Sequence, residues 1–263
     1  MSLETLTTEI DDGVLVVTFA RPDKLNAWTY RMHAELRRAI EAANADNDID
    51  AIVVTASGKG FCAGADMSAV FGLTEEQKHQ ARAEAMTHEW VALLRGCKPI
   101  VAAVNGAAVG IGVSLILPMD QILAAPEAKF VLKFVKMGLV PELGASHFVQ
   151  RRIGFGAASR VLLTGDSLSA DEALRIALID QVVPAERLLE EAKTLARRMG
   201  GNPHAALRAT KQLLTVNASE SDLQRAQQRE LDALTQCYAS AEHKEAVAAF
   251  VAKRAPDFKT ARG

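Results

Sequence analysis

Residues 100–119 read IVAAVNGAAVGIGVSLILPM. The stretch carries no charge and, at about 20 residues, is long enough to span a bilayer. It also holds Asn105, Gly106, Gly110, Gly112 and Pro118. Asn-Gly pairs and repeated glycines punctuate turns rather than membrane helices. The pattern therefore predicts a buried strand over 100–104, a tight turn at Asn105-Gly106, and a buried helix over 110–117. A buried strand feeding a helix through a short turn is the mark of an α/β core.

Outward from this stretch, the same alternation continues. A hairpin signal at Asp11-Asp12-Gly13 precedes an apolar run over 14–19. Met32, Leu36 and Ile40 recur at helical spacing. Residues 52–55 read as a short buried strand, and the glycine-rich 57–64 as a loop. Residues 75–94 are polar and mostly helical, stopped by Pro99. Short strands are expected at 121–124 and 129–132, with a last edge at Val182-Val183. From Gly144 the pattern turns helical, broken at Gly154, Gly165, Pro184, Gly200-Gly201 and Pro203. No internal period stands out. The expected organisation is an α/β core over 1–195 and a helical C-terminal region over 196–263.

Composition narrows the function class. The 263 residues are 49% hydrophobic and carry a formal net charge of -2, so no nucleic-acid surface or charged tail is indicated. Cys62, Cys97 and Cys237 form no Cys-x-x-Cys pair, which fits a reducing compartment. The N-terminus shows no apolar signal core, and the expected location is the cytoplasm. The six histidines lack metal-ligand spacing. Gly154-Phe155-Gly156 follows a helical pattern and lacks the third glycine of a dinucleotide loop. There is no Gly-x-Ser-x-Gly elbow, and Ser146 and His147 are neighbours that point apart on a helix. Neither a metal nor a redox cofactor is expected.

Two loops carry a chemical signal. Residues 60–67 (Gly-Phe-Cys-Ala-Gly-Ala-Asp-Met) and 104–112 each follow a buried strand and are rich in glycine and alanine. Small residues let a ligand approach the backbone. A loop entering a helix leaves N–H groups free to meet an anion. Two such loops can present two donors to one oxygen, although either loop alone also reads as a packing turn.

With Arg21-Pro22-Asp23-Lys24-Leu25-Asn26-Ala27, Cys62-Ala63-Gly64-Ala65-Asp66-Met67, the loop from Asn105 to Gly112, and an end at 246–258 bearing Phe250, Lys253 and Arg254, the chain resembles the crotonase superfamily of enoyl-CoA hydratases and isomerases. The resemblance covers nearly the whole chain. It implies the crotonase (ClpP-like) fold, a spiral of ββα units with a helical C-terminal trimerisation region, and a homotrimer or dimer of trimers. It implies an acyl-CoA substrate from fatty-acid metabolism, no cofactor beyond coenzyme A itself, and an oxyanion hole made by the N–H groups of Ala65 and Ile111. Many relatives have glycine where Ile111 stands. The implied CoA and substrate contacts are Lys24, Leu25, Ala27, Ala63, Ala65, Asp66, Met67, Gly110, Pro141, Phe250 and Lys253.

The carboxylates distinguish branches of the family. Gap-free counting puts Ser114 and Phe134 where hydratases carry their two glutamates. Glu142 stands where the Δ3,Δ2-enoyl-CoA isomerases carry a single base, with Leu143 in place of their glycine. The resemblance thus implies an isomerase with Glu142 as the catalytic base, in a partly dry pocket beside the apolar stretch 137–141. A hydratase or other crotonase reaction is the alternative, and a non-catalytic acyl-CoA binder is a third reading. Read without the resemblance, Glu142 simply favours the helix start near Gly144. Asp66 is then an N-cap, and Lys24 and Lys253 are surface lysines.

Overall fold

The computed structural model describes residues 3–85 and 89–262. Strands β1 (Leu6–Asp11) and β2 (Val14–Phe19) form the expected hairpin, pairing from Leu6–Phe19 to Asp11–Val14. Asp12 and Gly13 both take positive φ (47° and 75°), the conformation a two-residue turn demands. Helix α1 (Tyr30–Ala45) starts where the Thr29 hydroxyl accepts the Met32 N–H at 3.1 Å. Its Met32, Leu36 and Ile40 are fully buried, as their spacing requires.

From β3 onward the chain winds as a spiral. The strands are β3 (Ala51–Ala56), β4 (Gly60–Cys62), β5 (Ile100–Val104), β6 (Ala107–Val109), β7 (Gln121–Ala124), β8 (Lys129–Val131), β9 (Ser167–Ser169) and β10 (Gln181–Val182). Through the turns of the spiral, β3, β5 and β7 enter a six-stranded sheet of order β1-β2-β3-β5-β7-β10. Their successors β4, β6 and β8 enter a four-stranded sheet of order β4-β6-β8-β9. Helices close the turns: α2 (Glu75–Ala85) and α3 (Trp90–Gly96), then α4 (Ile111–Ser114), then α5 (Ala145–Thr164). This is the expected ββα spiral. Its turns begin at residues 51, 100 and 121, so their lengths differ and no period shows in the sequence.

Burial follows from the layers. Every residue of β3 and β5 is buried, because both faces of the large sheet are covered. Ile52, Val54, Ala102 and Val104 face a cluster shared with α1 and the small sheet. Val53, Val101 and Ala103 face Leu188, Ala192 and Ala196 of α7 (Leu188–Gly200), which follows the short α6 (Ala170–Arg175). The expected boundary at 195/196 falls inside α7, which lies on the sheet until its end at Gly200.

Beyond it run α8 (His204–Val216), α9 (Leu223–Ala239), α10 (Ala241–Val251) and α11 (Phe258–Arg262). Lys211 of α8 pairs with Asp120 at 2.8 Å. The Glu242 carboxylate accepts the His204 and Ala205 N–H groups at 2.8 and 3.1 Å, and Arg262 reaches Asp50 at 2.8 Å. These bonds tie the C-terminal helices to the core. Among the described residues, no helix is long and apolar enough to cross a membrane.

Three local expectations need correction. The helix over 110–117 is α-helical only at Ile111–Ser114, after which Pro118 and turns lead to β7. The loops over 57–64 and 104–112 contain β4 and β6, three-residue strands too short to show a period. The break at Gly154 is a kink within α5, with φ of 76°.

Gly112 sets the contact between α4 and β4. A Cβ placed there would lie 2.7 Å from the Cys62 carbonyl oxygen and 2.8 Å from the Cys62 Cβ. Gly112→Ala is therefore expected to cost about 1–3 kcal/mol through overpacking. Thermal unfolding followed by circular dichroism should show a melting temperature lower by several degrees; an unchanged melt would contradict the close approach.

Candidate active site

The first loop is held in place by a buried side chain. Leu25 and Asn26 take left-handed φ (47° and 52°), a conformation asparagine tolerates better than most residues. The Asn26 amide accepts the Arg21 N–H at 2.8 Å and donates to the Ser57 and Gly60 carbonyls, both at 2.8 Å. It thereby staples 21–28 onto 57–66. Three backbone bonds complete the seam: Ala63 N–H to Leu25 O at 3.1 Å, Trp28 N–H to Gly64 O at 2.7 Å, and Asp66 N–H to Trp28 O at 2.8 Å. Trp28 and Ala65 thus form a parallel bridge. In that pattern the N–H of Ala65 itself points away from Trp28. Among the described residues, no backbone or side-chain acceptor takes it.

The loop over 104–112 crosses the one over 57–66. Asn105 donates to the Gly58 carbonyl at 2.9 Å. Gly110, at φ 55°, gives its N–H to Val131 O at 2.7 Å and accepts from Val113 and Ser114, starting α4. Ile111 is the first residue of that helix, where an N–H has no intrahelical partner. Its side chain is buried in the core cluster, and the residue also lines the cleft described below.

The third wall is the segment 133–144, which turns through left-handed Gly138, Leu143 and Gly144 into α5. Together the three segments enclose a cleft of about 890 Å³. Ala63, Ala65, Met67, Gly110, Ile111, Pro141 and Glu142 all line it. Glu142 is half-buried, and its carbonyl accepts the Ala145 N–H at 2.9 Å. Phe134 lines the cleft as well, whereas Ser114 is buried in α4 behind it.

A sequence profile described as enoyl-CoA hydratase/isomerase matches residues 9–261. The chain belongs to this family. Relatives within it include the 1,2-epoxyphenylacetyl-CoA isomerase of Escherichia coli K12, 33% identical over 97% of this chain and 98% of that one. The crotonyl-CoA hydratase of Syntrophomonas wolfei is 34% identical over 98% and 99% of the two chains. Among solved structures, an enoyl-CoA hydratase from Bacillus anthracis superposes with a TM-score of 0.89 at 28% identity, covering 97% of this chain and 99% of that one. The crotonase fold and the acyl-CoA chemistry of the enoyl-CoA hydratase/isomerase family therefore hold for this chain.

Not every expected contact lies in the cleft. Lys24 and Leu25 are exposed on the first loop, and Ala27 is half-buried in it. The Asp66 carboxylate caps the turn Met67–Phe71, accepting the Ala69 N–H at 3.2 Å, and also takes the Ser68 hydroxyl at 2.8 Å and Arg21 at 2.8 Å. Phe250, near the end of α10, and Lys253, just beyond it, are exposed and line no part of the cleft of their own chain. Met137, Leu139 and Val140 are exposed too, so the wall beside Glu142 is wetter in the single chain than its apolar sequence implies.

The sequence reading missed Trp28, Tyr30, Trp90, His79 and Lys133, all of which line the cleft. A usable signal was present, since Trp28 and Tyr30 directly follow the Arg21–Ala27 motif and the chain has only two tryptophans. Cys62 ends β4, and burial pushes its thiol up to about 11, which removes it as a nucleophile. The hydrogen bond from Arg21 holds the Asp66 carboxyl down to about 2.

That shift has a testable sign. A carboxylate whose pKa is lowered on folding stabilises the fold above its unfolded value and loses that contribution as pH falls through the folded value. Asp66 therefore favours the folded chain above about 3.8, and the benefit disappears towards about 2. In urea unfolding, wild type should exceed Asp66→Asn in stability at neutral pH, with the gap closing across this window. A gap independent of pH would exclude the ion pair as its source.

Proposed function

We propose that this chain is an enoyl-CoA isomerase that moves a double bond from C3 to C2 of an acyl-CoA thioester. The carrying observation is one cleft lined by Ala65, Ile111 and Glu142, with Phe134 on its wall; the resemblance sets Phe134 at a hydratase glutamate position. Glu142 removes a proton from C2. The negative charge that develops on the thioester oxygen meets the Ala65 and Ile111 N–H groups. Fixed donors of this kind contribute about 2.7–4 kcal/mol each to such a transition state. Protonated Glu142 then returns the proton to C4. One carboxylate suffices because a proton moves and no water is added. Lys24, and Lys253 from a neighbouring subunit, supply positive charge for the CoA phosphates in this reading.

A second reading is hydration of a 2-enoyl-CoA. Hydratase names among the relatives favour it, as do His79 and Lys133, which give the cleft ionisable groups besides Glu142. Against it stand Ser114 and Phe134, neither of which can activate water or protonate carbon. A non-catalytic binder has no need of a carboxylate beside the acyl α-carbon. The assembly proposed is a trimer or dimer of trimers, in which the exposed Leu223, Phe250 and Val251 of α9 and α10 pack against another copy.

Glu142→Gln should retain CoA-ester affinity by calorimetry while 3-enoyl-CoA turnover falls by a factor on the order of 10²–10⁴. Turnover within a few-fold of wild type would place the base elsewhere. Wild type should hydrate 2-enoyl-CoA slowly or not at all, measured by loss of conjugated-thioester absorbance; turnover near about 10 per second, the ordinary enzyme range, would establish the second reading instead. Ala65→Pro deletes the first donor. It should lose turnover while keeping its circular dichroism spectrum, and an active, folded variant would remove Ala65 from the oxyanion hole.

A further inference from the structure

Aromatic residues make up only 5% of this chain, yet both tryptophans line the cleft, together with Tyr30, Phe71 and Phe134. Three of these rings are joined behind the cleft through His33, which does not itself line it. Tyr30 meets Trp28 edge-on with centroids 5.0 Å apart, Trp28 meets His33 edge-on at 5.9 Å, and His33 meets Trp90 at 4.6 Å and 47°. All four rings are buried, and the Trp90 Nε1–H is fixed to the Leu115 carbonyl at 3.2 Å. Each ring packs against the next, and the Trp90 indole is also hydrogen-bonded. This wall of rings is also uncharged, because burial holds His33 down to about 4. Trp28 is bridged through its backbone to Ala65, so the wall begins beside the first N–H donor. Phe71 and Phe134 add two further rings to the lining.

From this arrangement we infer that the acyl group selected by the cleft carries an uncharged aromatic ring. The inference rests on the acyl-CoA reading above and names the substrate class of that site. A linear chain gains from burial against any apolar wall, in proportion to its area. Fixed ring edges and faces add a preference for another ring, because aromatic quadrupoles favour edge-to-face and offset contacts beyond the area they bury. A ring also loses less conformational freedom on binding than a flexible chain of equal carbon count.

The test compares three eight-carbon thioesters: phenylacetyl-CoA, cyclohexylacetyl-CoA and octanoyl-CoA. Both tryptophans line the cleft, so their fluorescence reports occupancy directly, and calorimetry gives the affinities. Phenylacetyl-CoA is expected to bind on the order of tenfold tighter than octanoyl-CoA and measurably tighter than cyclohexylacetyl-CoA. Trp90→Leu should shrink that advantage while leaving affinity for free CoA unchanged. If Trp90→Leu does not fold, Phe71→Leu makes the same test at a partly exposed position. Equal or tighter octanoyl binding overturns the inference and leaves the isomerase reading standing. Equal binding of the phenyl and cyclohexyl esters, or an advantage that survives both substitutions, overturns it as well. Failure of all three esters to bind overturns the acyl-CoA reading with it. The three esters hold no movable double bond, so they report binding only; a separate assay with a 3-enoyl-CoA that shows no turnover beside a normal aryl preference counts against the isomerase alone.

Discussion

Gly112 lies against the carbonyl of Cys62 so closely that a Cβ at that position would be 2.7 Å from the oxygen. Much of the cleft depends on this contact. The two N–H groups proposed for the oxyanion come from loops nearly fifty residues apart. They can act on one atom only if α4 and β4 touch at backbone distance, which any side chain at Gly112 prevents. Gly106 adds a second crossing of the same two loops, where a Cβ would fall 2.1 Å from the Lys59 carbonyl oxygen. The parallel pairing of β4 with β6 runs between these contacts and fixes their direction.

The first loop is set by polar bonds rather than by apolar burial. Asn26 is completely buried, and its amide meets three backbone groups. A buried amide is tolerated only when its donors and acceptors are used, and the matching geometry then permits one arrangement of the loop. Arg21 extends the arrangement to Ala27 and Asp66. Trp28 lies within this framework, so the ring wall and the first donor share one support. A cleft of this kind is preorganised before substrate arrives, which is what electrostatic stabilisation of a developing oxyanion requires.

In the reading proposed above, the backbone and the side chains carry different information. The donors proposed at Ala65 and Ile111 are peptide N–H groups, which do not depend on the side chain, so the bulk of Ile111 does not by itself remove one. The acid–base groups do depend on theirs. Phe134 turns one wall of the cleft apolar, and Ser114 is enclosed in α4. Glu142 reaches the cleft from a segment that enters α5 through two consecutive left-handed residues, Leu143 and Gly144.

The sequence by itself determined the α/β class, the hairpin at Asp12-Gly13, the amphipathic α1 and the two glycine-rich loops. Each is encoded by neighbours in the chain, through periodicity, turn chemistry or small-residue composition. The family was legible in the same local motifs. Only the tertiary structure decided which of the motif residues share one cleft. Ala65, Ile111 and Glu142 line it, whereas Asp66 turns to Arg21 and caps its own turn, and Phe250 and Lys253 stay outside. Of the four-stranded sheet only β8 was legible; β4, β6 and β9, three residues each, carry no readable period. The ring wall from Tyr30 to Trp90 joins side chains from two distant segments, and such long-range juxtaposition leaves no local signature. Its physical origin is the packing of α1 and α3 on the spiral, a constraint that exists only after the chain has folded.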